Sequence, residues 1–356
     1  MAQRRMLMKG TEAIAEAAIR AGCKYFFGYP ITPQNEIPEY MSRRLPQVGG
    51  TYLQAESEVA AVNMIYGAGA AGVRVMTSSS SPGVALMSEG ASYLVGSEVP
   101  AVIVNIMRGG PGLGDIQPSQ GDWDQMTRGF GHGDKHFIVL APSTVQEAVD
   151  MMALAFDLAD EYRNPCLVIG DGLIGQMMEP VSFSDAAPRE FDKSWAATGR
   201  RGAGGRHIVR SLYLDPEILE KHVHALFEKF RRMEEKEQRH EDWMMDDHPS
   251  VVLCAYGTTA RIAKSAVGEL RRQGIAVGLF RPITAWPFPV EALRRHVETT
   301  RLFLGVEMSM GQMIEDVRRV VGDRRPVQFW GRTGGMVPTV EEIVQQVKDR
   351  RAALGQ

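Results

Sequence analysis

The side chains best suited to chemistry stand in four short stretches of the first third of the chain. In QAESEVAAVNMIYGAGAAG (Gln54–Gly72), Glu56 and Glu58 lie two apart at the start of a helix rich in Ala and Gly. A carboxyl in the first turn of a buried helix is poorly solvated, which suits it to holding and passing a proton. The plainer role is that of a half-exposed helix-start acid stabilised by the helix dipole. In GYPITPQNE (Gly28–Glu36), Pro30 and Pro33 fix the backbone around the Thr32 hydroxyl. SSSSPG (Ser78–Gly83) can present hydroxyls and amides where a helix begins. Arg108 ends the apolar run AVIVNIM and opens the long loop MRGGPGLGDIQPSQGDW (Met107–Trp123). An arginine so placed can bind a carboxylate through two parallel hydrogen bonds, where an ordinary surface arginine would pair with a neighbouring acid.

These stretches need elements to bring them together. From the start to about residue 180, short β-branched or aromatic runs alternate with amphipathic stretches, the pattern of an α/β domain with a mostly parallel sheet. Strands are predicted at Lys24–Phe27, Thr51–Gln54, Val73–Thr77, Ala101–Met107, Phe137–Leu140 and Cys166–Ile169. Helices are predicted at Thr11–Ala21, Ile37–Leu45, Ser57–Ala71, Val84–Val95 and Thr144–Tyr162. Ligands of such sheets bind at the carboxyl ends of the strands. All four candidate stretches follow a strand, so the sheet would gather Thr, Glu, Ser and Arg along one edge.

Residues 181–249 read as a linker. GRRGAGGR (Gly199–Arg206) is expected to be a flexible connector, and Asp215–Pro216 opens a charged helix running to about Glu241 with one apolar face. Residues 250–356 form a second, smaller α/β unit. Its strands are predicted at Val251–Ala255, Ala276–Phe280, Leu302–Val306 and Val327–Phe329, with helices near Thr259–Gln273, Val290–His296, Gln312–Val321 and Val340–Arg351. RPITAWPFP (Arg281–Pro289) is expected as a rigid aromatic loop. No proton donor or nucleophile stands out there, and the unit reads as an interaction and assembly domain.

Composition closes off several classes of function. The chain has 356 residues, 44% of them hydrophobic, and a net charge of −3, which gives no electrostatic reason to expect nucleic acid or an acidic membrane as partner. No apolar run approaches a membrane span and the start has no signal-peptide core, so a cytoplasmic protein is expected. Cys23, Cys166 and Cys254 are widely separated, which rules out a zinc knot or an iron–sulfur cluster held within this chain. Gly67-x-Gly69-x-x-Gly72 imitates a dinucleotide fingerprint but ends a helix instead of opening one. Gly170-Asp171-Gly172 looks like the start of a thiamin diphosphate and magnesium motif, yet no asparagine follows Asn164 to complete it. His132 and His136 have the spacing of a helical metal pair, but Gly131 and Gly133 favour a loop, and no metal site is expected; His132 could still border the site.

Taken together, the loops GYPITP, QAESE, SSSSPG and RGGPGLG resemble the α subunit of the multi-subunit 2-oxoacid:ferredoxin oxidoreductases. The similarity continues into YGTTARIAKSAVGELRRQGIAVGLFRPITAWPFP in the second unit. MRGGPGLG followed by PSQGDW is most similar to the branched-chain 2-oxoacid (2-oxoisovalerate) members. The resemblance implies an α/β fold: a pyrimidine-type thiamin diphosphate-binding domain with a parallel sheet over residues 1–180, the linker, and a transketolase C-terminal-like domain over residues 250–356. It implies oxidative decarboxylation of a 2-oxoacid with coenzyme A, giving acyl-CoA, carbon dioxide and reduced ferredoxin, and active only with partner subunits. A β subunit would hold the cofactor's diphosphate and Mg2+. Iron–sulfur clusters would sit on the β subunit and a ferredoxin-like δ subunit, with a γ subunit completing the complex.

Residue by residue, the resemblance places the glutamate that touches N1′ of the aminopyrimidine on Glu58 rather than Glu56, because the family's glycine nine residues further on falls on Gly67. A carboxyl there favours the imino tautomer, whose 4′ nitrogen can take up a proton. Tyr29, Pro30, Ile31, Ser80 and Ser81 would line the cofactor, Thr32 would hydrogen-bond substrate or cofactor, and Arg108 would clamp the 2-oxoacid carboxylate. The loop Gly109–Trp123 has no Lys or Arg but carries Asp115 and Asp122, which favours an apolar substrate side chain over a second carboxylate. The alternatives are a 2-oxoglutarate-specific α subunit and an assembly subunit that keeps the fold without the chemistry.

Overall fold

The computed structural model describes residues 5–199 and 206–353, so the GRRGAGGR connector falls almost wholly outside the described residues. The first half of the chain runs β1 (Met6–Lys9), α1 (Gly10–Arg20), β2 (Tyr25–Gly28), α2 (Glu36–Gln47), β3 (Thr51–Gln54) and α3 (Glu58–Ala70). It continues with β4 (Val75–Ser79), α4 (Ser81–Leu86), α5 (Ser88–Gly96), β5 (Val102–Met107), β6 (Ile138–Leu140), α6 (Val145–Tyr162), β7 (Cys166–Asp171), α7 (Gly172–Gln176) and β8 (Met178–Val181). Then come α8 (Pro216–Lys236), β9 (His240–Trp243), β10 (Val251–Cys254), α9 (Gly257–Arg272), β11 (Val277–Pro282), β12 (Thr284–Trp286) and α10 (Val290–Arg294). The chain closes with β13 (Leu302–Glu307), α11 (Met313–Val321), β14 (Val327–Gly331) and α12 (Val340–Ala353).

The larger sheet has seven strands in the order β12-β6-β7-β5-β4-β2-β3, parallel except for β12. Its register pairs Gly28 with Gln54 and Ser79 with Asn105, so the carboxyl ends of β2, β3, β4 and β5 reach one edge together. The apolar character of Val102–Met107 and Cys166–Asp171 suits strands buried on both faces. The smaller sheet has the order β14-β13-β10-β11-β9, parallel except for β9. Its side chains alternate between two cores: Val251 and Leu253 pack with α9 and α12, while Val252, Cys254 and Phe303 join the core of the first domain.

Three expectations need correction. The helix expected over Val84–Val95 is two helices, α4 and α5, stepping at Met87; Pro82 starts the first one early, and the step sets Gly90 against Val62, where a Cβ would lie 2.5 Å away. The charged helix ends at Lys236 and not near Glu241, because His240–Trp243 pairs with β11 as an edge strand. RPITAWPFP is not only a loop: Thr284–Trp286 adds the antiparallel outer strand to the first domain's sheet, beside β6. The pairing of β1 with β8 was also not visible in the sequence, since MLMK and MEPV lack β-branched alternation. No helix among the described residues is long and apolar enough to cross a membrane. All three cysteines are buried and free.

Candidate active site

The site grows from the carboxyl edge of the larger sheet. Ser57 caps α3 by accepting a hydrogen bond from the Ala60 amide (3.2 Å), which sets Glu58 as the first residue of the helix. The two glutamates then part: Glu56 is exposed, whereas Glu58 is only 5% exposed. Glu58 Oε1 accepts one hydrogen bond, from Ser79 Oγ at 3.2 Å. Gly83 lies against the same atoms, and a Cβ on it would fall 2.2 Å from Glu58 Oε1 and 2.2 Å from Ser79 Oγ. Only glycine leaves room for the carboxylate in this place.

The serine run distributes its hydroxyls among the converging loops. Ser78 donates to Gln34 Oε1 (2.6 Å), and Gln34 in turn donates to the Tyr29 carbonyl (3.3 Å), tying the YPITP loop to β4. Ser79 serves Glu58. Ser81 donates to Asp122 Oδ2 (2.6 Å) and accepts from the Arg108 amide (3.0 Å). Ser80 Oγ is buried with no partner, as is Thr77 Oγ1 on β4. Of the two serines expected to line a cofactor, Ser80 keeps a free hydroxyl and Ser81 is engaged in holding the loops. Tyr29 and Pro30 are exposed and Ile31 is half-buried, so this loop offers surface to a ligand.

Arg108 is 7% exposed, yet no carboxylate lies within 4.0 Å of its guanidinium among the described residues. Its Nη1 donates to the Thr32 carbonyl (2.9 Å) and its Nη2 to the Leu113 carbonyl (3.0 Å). Three of its five N–H groups remain for an anion. A buried charge without a counter-charge is costly, and a bound carboxylate would remove that cost. Thr32 Oγ1 accepts from Asn35 Nδ2 (3.2 Å), which leaves its own proton free to donate. Asp122 accepts from Ser81 and from Asn105 Nδ2 (2.9 Å), while burial pushes its carboxyl above the ordinary aspartate value.

The structure therefore brings Thr32, Glu58, Ser80 and Arg108 to one edge. It leaves the histidines elsewhere: Gly131 and Gly133 take positive φ, and His136 stacks on Trp286 (4.6 Å) at the amino end of β6, opposite the site. No group of three or more metal-ligating side chains occurs among the described residues. Asp171 of the Gly-Asp-Gly run joins the two domains, accepting from the amides of Leu173 and Ile174 and from the amide and hydroxyl of Thr258. Sequence reasoning missed Gly83, Gln34 and Asn105. Gly83 had a signal, a glycine inside a helix start, but nothing pointed from it to Glu58.

The residues fit a thiamin-type ring: a buried carboxylate with an open oxygen, an orphaned hydroxyl just past the end of β4, and an uncompensated cation at the end of β5 on the same sheet edge. Residues 16–242 match the family described as pyruvate flavodoxin/ferredoxin oxidoreductase, thiamine diphosphate-binding, and residues 250–343 match pyruvate:ferredoxin oxidoreductase core domain II. The chain is 47% identical to a ketoisovalerate oxidoreductase subunit VorB of Methanothermobacter thermautotrophicus, over 96% of this chain and 97% of that one. It is 36% identical to a 2-oxoglutarate synthase subunit KorA of Methanocaldococcus jannaschii, over 96% and 98%. Among solved structures it is similar to the 2-oxoglutarate:ferredoxin oxidoreductase from Magnetococcus marinus with 2-oxoglutarate, coenzyme A and succinyl-CoA bound (TM-score 0.86, 26% identity). That match covers 98% of this chain but only 65% of the other, so this chain spans about two thirds of the longer protein. On these grounds the chain belongs to the 2-oxoacid:ferredoxin oxidoreductase family, as one of its α-type subunits.

Proposed function

We propose that this chain supplies the pyrimidine half of a thiamin diphosphate site in a ferredoxin-reducing complex that oxidatively decarboxylates a branched-chain 2-oxoacid, with 2-oxoisovalerate the best candidate. One observation carries the reading: the buried Glu58 carboxylate, pinned by Ser79 on one side and given space by Gly83, with an oxygen left for a ligand. Glu58 would hold a proton at N1′ of the aminopyrimidine. Ser80, Tyr29, Pro30 and Ile31 would bound the ring, with Ser81 fixing the loop behind it. When bound, the cofactor supplies the electron sink that lets a 2-oxoacid lose carbon dioxide.

Arg108 would orient the substrate carboxylate through its remaining N–H groups, and the Thr32 hydroxyl would donate to the substrate. The overall change is 2-oxoacid plus coenzyme A plus two oxidised ferredoxins giving acyl-CoA, carbon dioxide, two reduced ferredoxins and a proton. A β subunit would hold the diphosphate, Mg2+ and iron–sulfur clusters, and γ and ferredoxin-like δ subunits would complete the path for acyl group and electrons. An apolar substrate is favoured by the loop Gly109–Trp123, which has no cation and exposes Leu113 (82%) and Ile116 at its tip. The greater identity to the ketoisovalerate subunit than to the 2-oxoglutarate subunit points the same way.

The test is Glu58→Gln in the assembled enzyme. Turnover should fall roughly 10²- to 10⁴-fold, the range of proton-transfer catalysis, while the complex still assembles; near-normal turnover would remove Glu58 from the mechanism. Substrate choice is read from kcat/KM on 2-oxoisovalerate, 2-oxoglutarate and pyruvate, and a preference for 2-oxoglutarate would overturn the branched-chain assignment.

A further inference from the structure

The loop that follows the site's arginine is held from the second domain, and one residue makes most of the contacts. Gln120 is completely buried, and each of its nitrogens and oxygens makes a hydrogen bond to residues that follow β10 and β13. Its amide N–H donates to the Met308 carbonyl (2.8 Å), and its carbonyl accepts from the Tyr256 hydroxyl (3.0 Å). Its side-chain Nε2 donates to the Tyr256 carbonyl (2.8 Å), and Oε1 accepts from Thr259 Oγ1 (2.7 Å) and from the Met308 amide (2.9 Å). The side-chain amide has one allowed orientation, because the Met308 N–H can only donate and the Tyr256 carbonyl can only accept.

Two residues along, the same loop turns back into the first domain. Asp122 accepts from Ser81 Oγ and Asn105 Nδ2, and Ser81 Oγ accepts the Arg108 amide. On the other side of Gln120, Pro118 bridges to Arg108, and the Gln117 carbonyl accepts from the Gly109 amide (3.0 Å). Arg108 is thus bracketed by chain on both sides of Gln120, the most heavily bonded point of a loop that Ser119, Gly121 and Trp123 tie to the second domain by one further bond each. Nothing in the first domain alone fixes that anchor.

The geometry points to Gln120 as a positioning residue for substrate binding, through which the second domain sets the place of Arg108 and with it the affinity for the 2-oxoacid carboxylate. This rests on Arg108 being the carboxylate ligand. The second domain then has a task in substrate recognition besides assembly. A purely structural Gln120 would lower stability and the amount of assembled enzyme without singling out one substrate's KM. A positioning Gln120 raises KM for the 2-oxoacid and leaves KM for coenzyme A in place.

The experiment compares Gln120→Ala, Thr259→Val, Arg108→Ala and the Gln120→Ala/Arg108→Ala double variant in the assembled enzyme, with Thr259→Val as the milder change should Gln120→Ala fail to assemble. Gln120→Ala should raise KM for the 2-oxoacid roughly tenfold, the scale of a lost buried hydrogen-bond set, and Thr259→Val should raise it less, with KM for coenzyme A unchanged in both. In the double variant the Gln120 change should add little to the loss already caused by Arg108→Ala, because it acts through that residue. Full additivity, or equal shifts in both KM values, overturns the positioning role while leaving Arg108 as the ligand. If Arg108→Ala leaves KM for the 2-oxoacid unchanged, the carboxylate assignment itself falls.

Discussion

Two glutamates and two arginines occur as near-twins at the strand ends of the two sheets, and their surroundings differ in one respect. Glu307, at the end of β13, is buried like Glu58 but saturated: it accepts from Ser309 Oγ and from the amides of Gln312, Met313 and Ile314. Burial still pushes its carboxyl above the ordinary glutamate value. Glu58 has one partner, Ser79. Arg281, at the end of β11, is 0% exposed and paired with both Glu147 and Glu241, whereas Arg108 is held by two carbonyls and has no acid in reach among the described residues. Both arginines leave Nε without a partner, so the distinction lies in the missing counter-charge. Burial by itself does not separate the two pairs. What sets Glu58 and Arg108 apart is buried charge whose bonding is left unfinished, which a ligand could complete.

That contrast can be broken at several points. The widest separation should come from Arg281→Met, which strands Glu147 and Glu241 beside each other: stability measured by denaturant should drop by about 3 kcal/mol, with KM for the 2-oxoacid unchanged in the folded enzyme. Arg108→Met should do the reverse, sparing stability and weakening substrate binding. Next in size is Gly83→Ala, whose new methyl would displace the Glu58 carboxylate; turnover should fall roughly 100-fold, as for a misplaced catalytic group, while the thermal midpoint moves little. Normal turnover in that variant would mean that the position of Glu58 is not fixed as described. Glu307→Gln should lower stability by about 2 kcal/mol, since an NH2 group would replace an acceptor facing backbone amides, and turnover per folded molecule should hold. A loss of turnover matching that of Glu58→Gln would erase the distinction between the twins.

The smallest effect is one of pH. Glu147 is partly buried, which opposes ionisation, but the hydrogen bonds and charge of Arg281 hold its carboxyl below the ordinary glutamate value. Its contribution to stability is therefore complete above the unfolded value of about 4.3 and is lost as pH falls through the lower folded value. Unfolding midpoints followed downward from neutral pH should show this loss in the wild type and a shallower slope in Glu147→Gln. An identical slope would mean that the Arg281 pair does not favour the charged form.

The parallel core of the fold was legible because its strands are short apolar runs separated by turn residues, and predicted and observed limits differ by two residues or fewer for β2 to β7. What escaped was pairing decided at long range. Thr284–Trp286 lies among prolines and carries no strand pattern of its own, yet it finds an unpaired edge at β6. His240–Trp243 continues a charged helix in composition and becomes a strand only because β11 lies beside it. Within the site, the placing of Thr32, Glu58 and Arg108 at strand ends could be read from residue order. That Glu56 would be exposed and Glu58 buried depends on where Ser57 caps the helix, and Ser57 shared that stretch with no other clear cap signal. The contacts of Gln120 were out of reach, because a glutamine in a polar loop looks the same whether it meets water or another domain.

The outer strand β12 has a consequence for how the chain is made. Synthesis delivers β6 long before Thr284–Trp286, so throughout that interval a nascent first domain carries a strand edge with unpaired N–H and C=O groups. A fragment ending near residue 249 would keep that edge permanently, and two such fragments could pair along it. Expression of the first domain alone should therefore give aggregates or domain-swapped species. The ribosome-bound chain has the same exposed edge to shelter until its own later segment arrives.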